Sequence, residues 1–391
     1  MNILFITDHD AEPTSGGIDR TVTVSSQLLS KYGYRCYLAY FNTTENRQTA
    51  PFEDRFHIEK ENFTAQFTGI IAKNQINHII VSTAAKQNTR FILPAVRQSA
   101  GAIPVYFWYH CMPGYELVPM DLNVAFYRLF HNPRKLQTLK KIIISALSFM
   151  RPVMKLMLRR KYSYYSRYAD RIIVLSRPSR LSFARLAGVS KNKVSFINNT
   201  LTYGYPVDEY TIRRKTKTVL IVARIDEDSK RIALALKIWR QIENKKELSD
   251  WKLFIVGSGE DKNYCRCLAR KLKLQNCHFE GRKNPLEYYK RSSIYLMTSS
   301  NEGFSMTLLE SQQMGVVPVA FDSFDTVRIL IQNGYSGFII PEKDIKTYVH
   351  QLSRLMTNWE KRQTMAKNAV ENSKRFRQEK IIEQWKITLC H

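Results

Sequence analysis

The sequence predicts an α/β protein made of two Rossmann-like, doubly wound parallel-sheet domains. Three observations lead there. Short apolar runs alternate with longer amphipathic stretches from the first residues onward, the rhythm of parallel strands covered by helices. A polar, turn-rich stretch at 199–206 interrupts the alternation, which then resumes. A chain of 391 residues is also too long for one ordinary core and suits two domains.

In the first domain, 1–203, the expected strands are 2–7, 35–41, 78–82, 104–109, 171–175 and 194–198, with a first helix over 18–32. Each is a short run rich in β-branched and aromatic residues, bounded by polar or turn-forming ones. The second domain, 204–375, repeats the pattern with strands at 219–223, 251–256, 277–280, 293–297, 317–321 and 337–340. Sheets of this kind bind ligands at the carboxyl ends of their strands, where helix N-termini present free N–H groups to anions.

Composition narrows the functional classes. With 44% hydrophobic and 12% aromatic residues the chain can bury a core, which excludes disorder as the main state. The six cysteines (36, 111, 265, 267, 277 and 390) show no paired spacing, so neither a zinc site nor a disulfide framework is expected. The N-terminal run reads as a buried strand and not as a signal peptide. The uncharged stretch 142–150 is far short of the roughly 20 residues that span a bilayer. A formal charge of +26 favours anionic partners: nucleic acid, acidic lipid or phosphorylated substrates.

Several strand ends carry chemistry. The first leads through Gly16 and Gly17 into a helix, where paired glycines let backbone approach a diphosphate, although a plain structural turn reads equally well. The strand 219–223 ends at Arg224, with Lys230 six residues later, and two fixed cations beside a crevice can hold a diphosphate and stabilise its developing charge. Solvated surface cations are the plainer alternative. The next strand ends in Gly257, Ser258, Gly259 and Glu260, a strand-to-helix turn common to nucleotide-binding sheets. Glu302 precedes a helix start and Glu310 lies about two turns further on, so one helix can line one site, or Glu302 can be an ordinary cap. The D-x-D pairs Asp8/Asp10 and Asp226/Asp228 are matches at chance level.

The run from Glu302 to Glu310 resembles the E-x7-E element of the large retaining GT-B glycosyltransferase family 4. Arg224 with Lys230, the Gly257–Gly259 turn, Phe279-Glu280-Gly281 and the Gly16-Gly17 loop follow in the order that family shows. The resemblance is best over 219–340 and weak over 43–175. It implies a GT-B architecture, two domains facing a cleft, with a terminal helix, 376–391, returning to the first domain.

It also implies roles. Gly16, Gly17, Arg224 and Lys230 hold the diphosphate; Glu302 and the residues after it, Phe304, Ser305, Met306 and Thr307, hold the donor sugar; Glu310 binds the ribose. Gly257 and Gly259 line the donor pocket, the base lies near Arg282 and Lys283, and His110 faces donor sugar and acceptor, or is a structural residue. The family places its Lys five residues after the Arg and follows it with Gly; here the gap is six and Arg231 follows, so Lys230 and Arg231 are rival phosphate ligands. The implied reaction retains anomeric configuration with no required metal and no cofactor beyond the nucleotide-sugar co-substrate, with UDP as the expected base carrier.

The segment 122–169 contains Lys and Arg throughout and no Asp or Glu, interleaved with apolar and aromatic residues. Such a composition suits an interfacial helix on an anionic leaflet, at roughly 1 kcal/mol per basic residue near the surface; the alternative is a helix packed on the first domain with its cations solvated. No nucleic-acid motif accompanies the charge. The resulting expectation is a cytoplasmic enzyme peripherally associated with the inner face of the membrane. It transfers a hexose or related sugar from a nucleotide diphosphate sugar to a lipid-linked saccharide in surface polysaccharide or lipopolysaccharide biosynthesis. The alternatives are a GT-B-fold nucleotide-sugar epimerase and a non-catalytic basic protein binding membrane or nucleic acid.

Overall fold

The structure, a computed structural model, describes residues 1–11, 17–42, 51–83, 87–117, 122–131, 151–204 and 206–390. The chain forms two compact units. The first comprises Met1–Gly114, Pro152–Thr200 and Phe376–His391; the second comprises Tyr115–Arg151 and Leu201–Arg375.

The first unit contains β1 (Asn2–His9), α1 (Gly17–Lys31), β2 (Arg35–Asn42), β3 (Asp54–His57), α2 (Phe63–Lys73), β4 (His78–Val81), α3 (Gln87–Ser99) and β5 (Val105–Trp108). After an excursion that carries α4 (Leu122–His131), it resumes with α5 (Arg151–Tyr168), β6 (Arg171–Val174), α6 (Arg177–Ala187) and β7 (Val194–Phe196). Its sheet is parallel throughout, in the order β3-β2-β1-β4-β5-β6-β7. β1, β2, β4 and β5 are buried almost end to end, as strands covered by helices on both faces must be. α6 shows how local sequence sets an element's ends. The Ser176 side chain accepts the Ser179 N–H, Pro178 sits in the first turn, and Gly188 closes the helix in the left-handed region.

β3 has no counterpart in the sequence reading. Its four residues, Asp54 to His57, lie at the sheet edge beside β2 and are half-buried at most, so they lack the apolar run that marks a strand covered on both faces.

The second unit contains α7 (Glu209–Arg213), β8 (Thr218–Val222), α8 (Ile232–Glu243), β9 (Lys252–Val256), α9 (Lys262–Lys271), β10 (Cys277–Gly281), α10 (Leu286–Arg291) and β11 (Ile294–Met297). It continues with α11 (Met306–Gln313), β12 (Val317–Phe321), α12 (Val327–Leu330), β13 (Phe338–Ile340), α13 (Ile345–Thr357) and α14 (Trp359–Ser373). The parallel sheet runs β10-β9-β8-β11-β12-β13. Strand order therefore reverses between β8 and β11, and the crevice at their carboxyl ends is the expected ligand position. Below it, Val219, Ile221, Trp239, Trp251, Leu253, Ile294 and Val317 form a continuous core.

The last helix, α15 (Gln378–Leu389), belongs to the first unit. Trp385 is fully buried there, its ring edge-on to Trp108 at 5.0 Å and to Phe5 at 6.5 Å. Gln384 accepts the Asn198 N–H at 2.8 Å, and Thr200 donates to the Phe376 carbonyl at 3.0 Å, tying the helix to the chain after β7.

Candidate functional site

The second unit's site is built on two strand ends, those of β8 and β11. After β8 the chain carries Arg224, then a tight turn in which Asp226 accepts the Asp228 N–H at 3.1 Å and the Ser229 hydroxyl at 3.0 Å. Lys230 N–H closes that turn on the Asp226 carbonyl at 2.7 Å. Arg231 adopts a left-handed conformation, φ 49°, at the start of α8. This turn separates the two rival cations. The Lys230 ammonium donates to Glu302 Oε1 at 2.6 Å, whereas the Arg231 guanidinium turns away to the Thr298 and Ser299 carbonyls, at 2.8 and 3.0 Å, and to Glu342 at 3.2 Å.

Glu302 is thus joined to Lys230 and also accepts the Ser299 hydroxyl at 2.8 Å. The helix cap behind it is Ser305, whose hydroxyl accepts the Leu308 N–H at 3.3 Å, so Glu302 is not the ordinary cap of α11. Phe304, Ser305 and Met306 are buried; Thr307 accepts the Tyr295 hydroxyl at 2.7 Å, and that hydroxyl lies 3.1 Å from the Val222 carbonyl at the end of β8. Glu310 is fully buried, with the Thr202 hydroxyl at 2.8 Å and the Tyr289 hydroxyl at 3.2 Å. The two carboxylates therefore sit differently: Glu302 beside a cation at the strand ends, Glu310 deeper among hydroxyls.

Arg224 is mostly exposed and pairs with Asp226 at 2.8 Å. Although burial alone would push the Asp226 carboxyl up, Arg224, the Ser229 hydroxyl and Arg128 together hold it below the usual carboxylate range.

The Gly257 to Gly259 turn packs against this loop. A Cβ on Gly257 would lie 1.9 Å from the Ala223 carbonyl oxygen, and one on Gly259 2.2 Å from that of Ile225. Both glycines admit the neighbouring backbone, and the Ile225 N–H bonds the Ser258 carbonyl at 3.0 Å. Glu227, buried beneath, takes the capping role that Arg231 leaves open, with both its oxygens on the Ala233 N–H at 3.0 and 3.1 Å. Burial raises its carboxyl to about 7. Arg282 and Lys283 follow β10 as exposed residues; Lys283 pairs with Glu280 at 2.6 Å.

In the first unit, Gly17 opens α1 as an exposed residue, and Gly16 lies outside the described residues. His110 follows β5. Its Nε2 is 2.7 Å from the Ser82 hydroxyl at the end of β4, and its ring is 4.6 Å from that of Trp108. Burial pushes its imidazole down to about 3, so it is neutral across the physiological range.

The basic segment divides. Residues 132–150, with Arg134, Lys135, Lys140 and Lys141, lie outside the described residues. On α5, Val153, Leu156 and Met157 are exposed beside Lys155, Arg159 and Arg160. Arg128 departs from the surface role that composition suggested. It is buried on α4 within the second unit, because three carboxylates converge on it. Sequence gave no signal for that, since the carboxylates come from Asp226, Asp228 and Asp261. Among the described residues no group of three or more His, Cys, Asp or Glu side chains is arranged to hold a metal ion, and no helix is long and apolar enough to cross a membrane.

Two all-parallel Rossmann-like domains, of seven and six strands, define the GT-B architecture of glycosyltransferase structures. The structure of an S. aureus TarM mutant, in complex with fondaparinux, alpha-GlcNAc-glycerol and UDP, superposes with a TM-score of 0.75 at 12% identity and covers 100% of both chains. Residues 207–372, which carry Arg224, Lys230, Glu302 and Glu310, match the family described as Glycosyl transferases group 1. An uncharacterized glycosyltransferase of Haemophilus influenzae is 33% identical over 174 residues, 44% of this chain and 48% of the relative. The amylovoran biosynthesis glycosyltransferase AmsD of Erwinia amylovora is 29% identical over 174 residues, with the same shares. The chain spans about half the length of these relatives.

Proposed function

We propose that the protein is a glycosyltransferase that moves a hexose or related sugar from a nucleotide diphosphate sugar, with UDP as the carrier, to a lipid-linked saccharide acceptor. The observation that carries the reading is the Lys230–Glu302 pair at the switch point of the second sheet, 2.6 Å apart, inside the stretch that matches the group 1 family. Relatives named for glycosyl transfer and for amylovoran biosynthesis support transfer in surface polysaccharide or lipopolysaccharide assembly. A structural neighbour in complex with UDP supports the base. The epimerase alternative finds no support among them.

In this reading Arg224 and Lys230 receive the diphosphate and stabilise the charge that grows on it as the glycosyl bond breaks. Diphosphate binding draws Lys230 from Glu302 and frees that carboxylate to accept hydroxyls of the donor sugar. Glu310 accepts the ribose hydroxyls in place of Thr202 and Tyr289. His110, neutral, is a hydrogen-bonding group toward donor sugar and acceptor. The chemistry retains anomeric configuration and needs no metal. The D-x-D carboxylates support this, since Asp10 pairs with Arg55 while Asp226 and Asp228 are engaged by Arg128. The exposed apolar and basic residues of α5 support peripheral attachment to the inner face of an anionic membrane.

The test is a thermal-shift panel of UDP, GDP, ADP and their sugars, with and without EDTA, on the wild type and on Glu310→Ala. A ligand at a hundred times its dissociation constant stabilises by about 2.7 kcal/mol. Stabilisation by UDP compounds that persists in EDTA and weakens in Glu310→Ala is the expected result; no response to any nucleotide returns the basic-surface binding alternative. Product NMR then reads the anomeric configuration. Cosedimentation with anionic against zwitterionic vesicles reads the membrane, with Leu156→Ser/Met157→Ser lowering the bound fraction.

A further inference from the structure

Between its two candidate phosphate ligands the loop after β8 carries Asp226, Glu227 and Asp228, and Asp261 stands just before α9. Left alone, this acidity opposes the binding of an anion and competes for the cations meant to hold it. Its counter-charge comes from about a hundred residues earlier. Arg128 Nε donates to Asp261 Oδ1 at 2.9 Å and Nη2 to Asp261 Oδ2 at 2.5 Å; Nη1 donates to Asp228 Oδ1 at 2.9 Å, and Nη2 lies 3.8 Å from Asp226 Oδ1. The Arg128 side chain is 8% exposed and that of Asp261 2%. A planar fork with five donors grips Asp261 at two points while reaching Asp228 and Asp226, a geometry that an ammonium with all its donors on one nitrogen does not reproduce.

The cluster is mechanically joined to the loop. Asp261 Oδ2 also accepts the Glu227 N–H at 2.8 Å, and Asp226 Oδ2 is the group that holds Arg224. Asp226 therefore lies between two guanidiniums, one buried and one exposed.

We propose that Arg128 is a positioning residue for the donor diphosphate: by pairing with Asp228 and Asp261 and standing beside Asp226 it offsets part of their charge, fixes the loop and lets Arg224 and Lys230 exchange their carboxylate partners for the phosphates. This rests on the donor-site reading above. Without Arg128, the carboxylates hold Arg224 more strongly and repel the incoming anion.

The test measures binding of UDP and of inorganic pyrophosphate by calorimetry, with the melting temperature as a check on folding. The proteins are wild type, Lys230→Ala, Arg128→Lys, Arg128→Met and Arg128→Met/Asp228→Asn. Arg128→Met is expected to weaken both ligands about tenfold or more, the scale of a lost charge-assisted hydrogen bond; Arg128→Lys falls between. Asp228→Asn, by removing one unmatched charge, restores much of the affinity in the Arg128→Met background, a rescue that a purely structural role would not give. Should Arg128→Met fail to fold, the same comparison is made between Arg128→Lys and Arg128→Lys/Asp228→Asn, tighter binding by the double variant being the supporting result and equal or weaker binding overturning the inference. Wild-type affinity in a folded Arg128→Met, or a loss that Asp228→Asn leaves untouched, overturns the inference. If Lys230→Ala loses UDP while the Arg128 variants do not, only this inference falls. If wild type binds neither ligand, or Lys230→Ala binds as wild type does, the donor-site reading falls with it.

Discussion

Lys230 and Arg231 are adjacent, both cationic, and turned to different tasks. The left-handed backbone at Arg231 sends its guanidinium onto the Thr298 and Ser299 carbonyls, while Lys230 meets Glu302. Replacing Lys230 with Ala is expected to lower kcat/KM by roughly a hundredfold to a thousandfold, the scale of one lost donor to developing charge. Replacing Arg231 with Ala is expected instead to lower the melting temperature, since two carbonyls lose their donor. Sequence puts a Lys and a carboxylate in one motif set but does not say which of the two cations faces Glu302, because a single φ angle decides that. Glu227 was not singled out at all, since its role exists only where α8 starts over it. With its carboxyl at about 7 in the fold against an ordinary 4.5, the folded state holds a proton that the unfolded chain has released. Its stabilisation is complete below pH 4.5 and is lost as pH rises through 7, to a total of about 3 kcal/mol. Denaturant titrations from pH 5 to 8 should show that decline in the wild type and a flatter profile in Glu227→Gln.

At the scale of elements, interior strands such as β1, β4, β5, β11 and β12 were legible because two-sided burial leaves an apolar run, and β3 was not because this half-buried edge strand carries none. Turn glycines were legible as special but not in purpose: sequence alone does not separate a glycine that makes room for a ligand from one that makes room for backbone. At Gly259 a Cβ would lie 2.2 Å from the Ile225 carbonyl oxygen, so that glycine makes room for backbone. Gly259→Ala should cost about 3 kcal/mol through overpacking, read as a fall in urea midpoint, with loss of nucleotide response following from the displaced loop. The excursion that carries α4 into the second unit was likewise illegible, because helix periodicity says which face is apolar and not which core receives it.

At the scale of the whole molecule, the net charge of +26 announced an anionic partner without locating it. The structure shows that charge serving several ends: Arg128 inside the second unit, Arg231 bonding carbonyls, and Arg159 and Arg160 exposed on α5. Only the last kind should respond strongly to salt, since buried pairs are screened little. The first unit, meanwhile, depends on Trp385. Trp385→Ala should cost about 3–5 kcal/mol, measured as a lower first transition in a melting curve that resolves the two units.

That tryptophan has a consequence in time. The strands of the first unit are made first, yet the helix that brings Trp385 against Phe5 and Trp108 leaves the ribosome after the whole of the second unit. During synthesis the second unit can close its own core while the first waits with an uncovered apolar seam. The half of the chain translated earliest is therefore the last to be finished, and the one that a nascent-chain chaperone has most reason to hold.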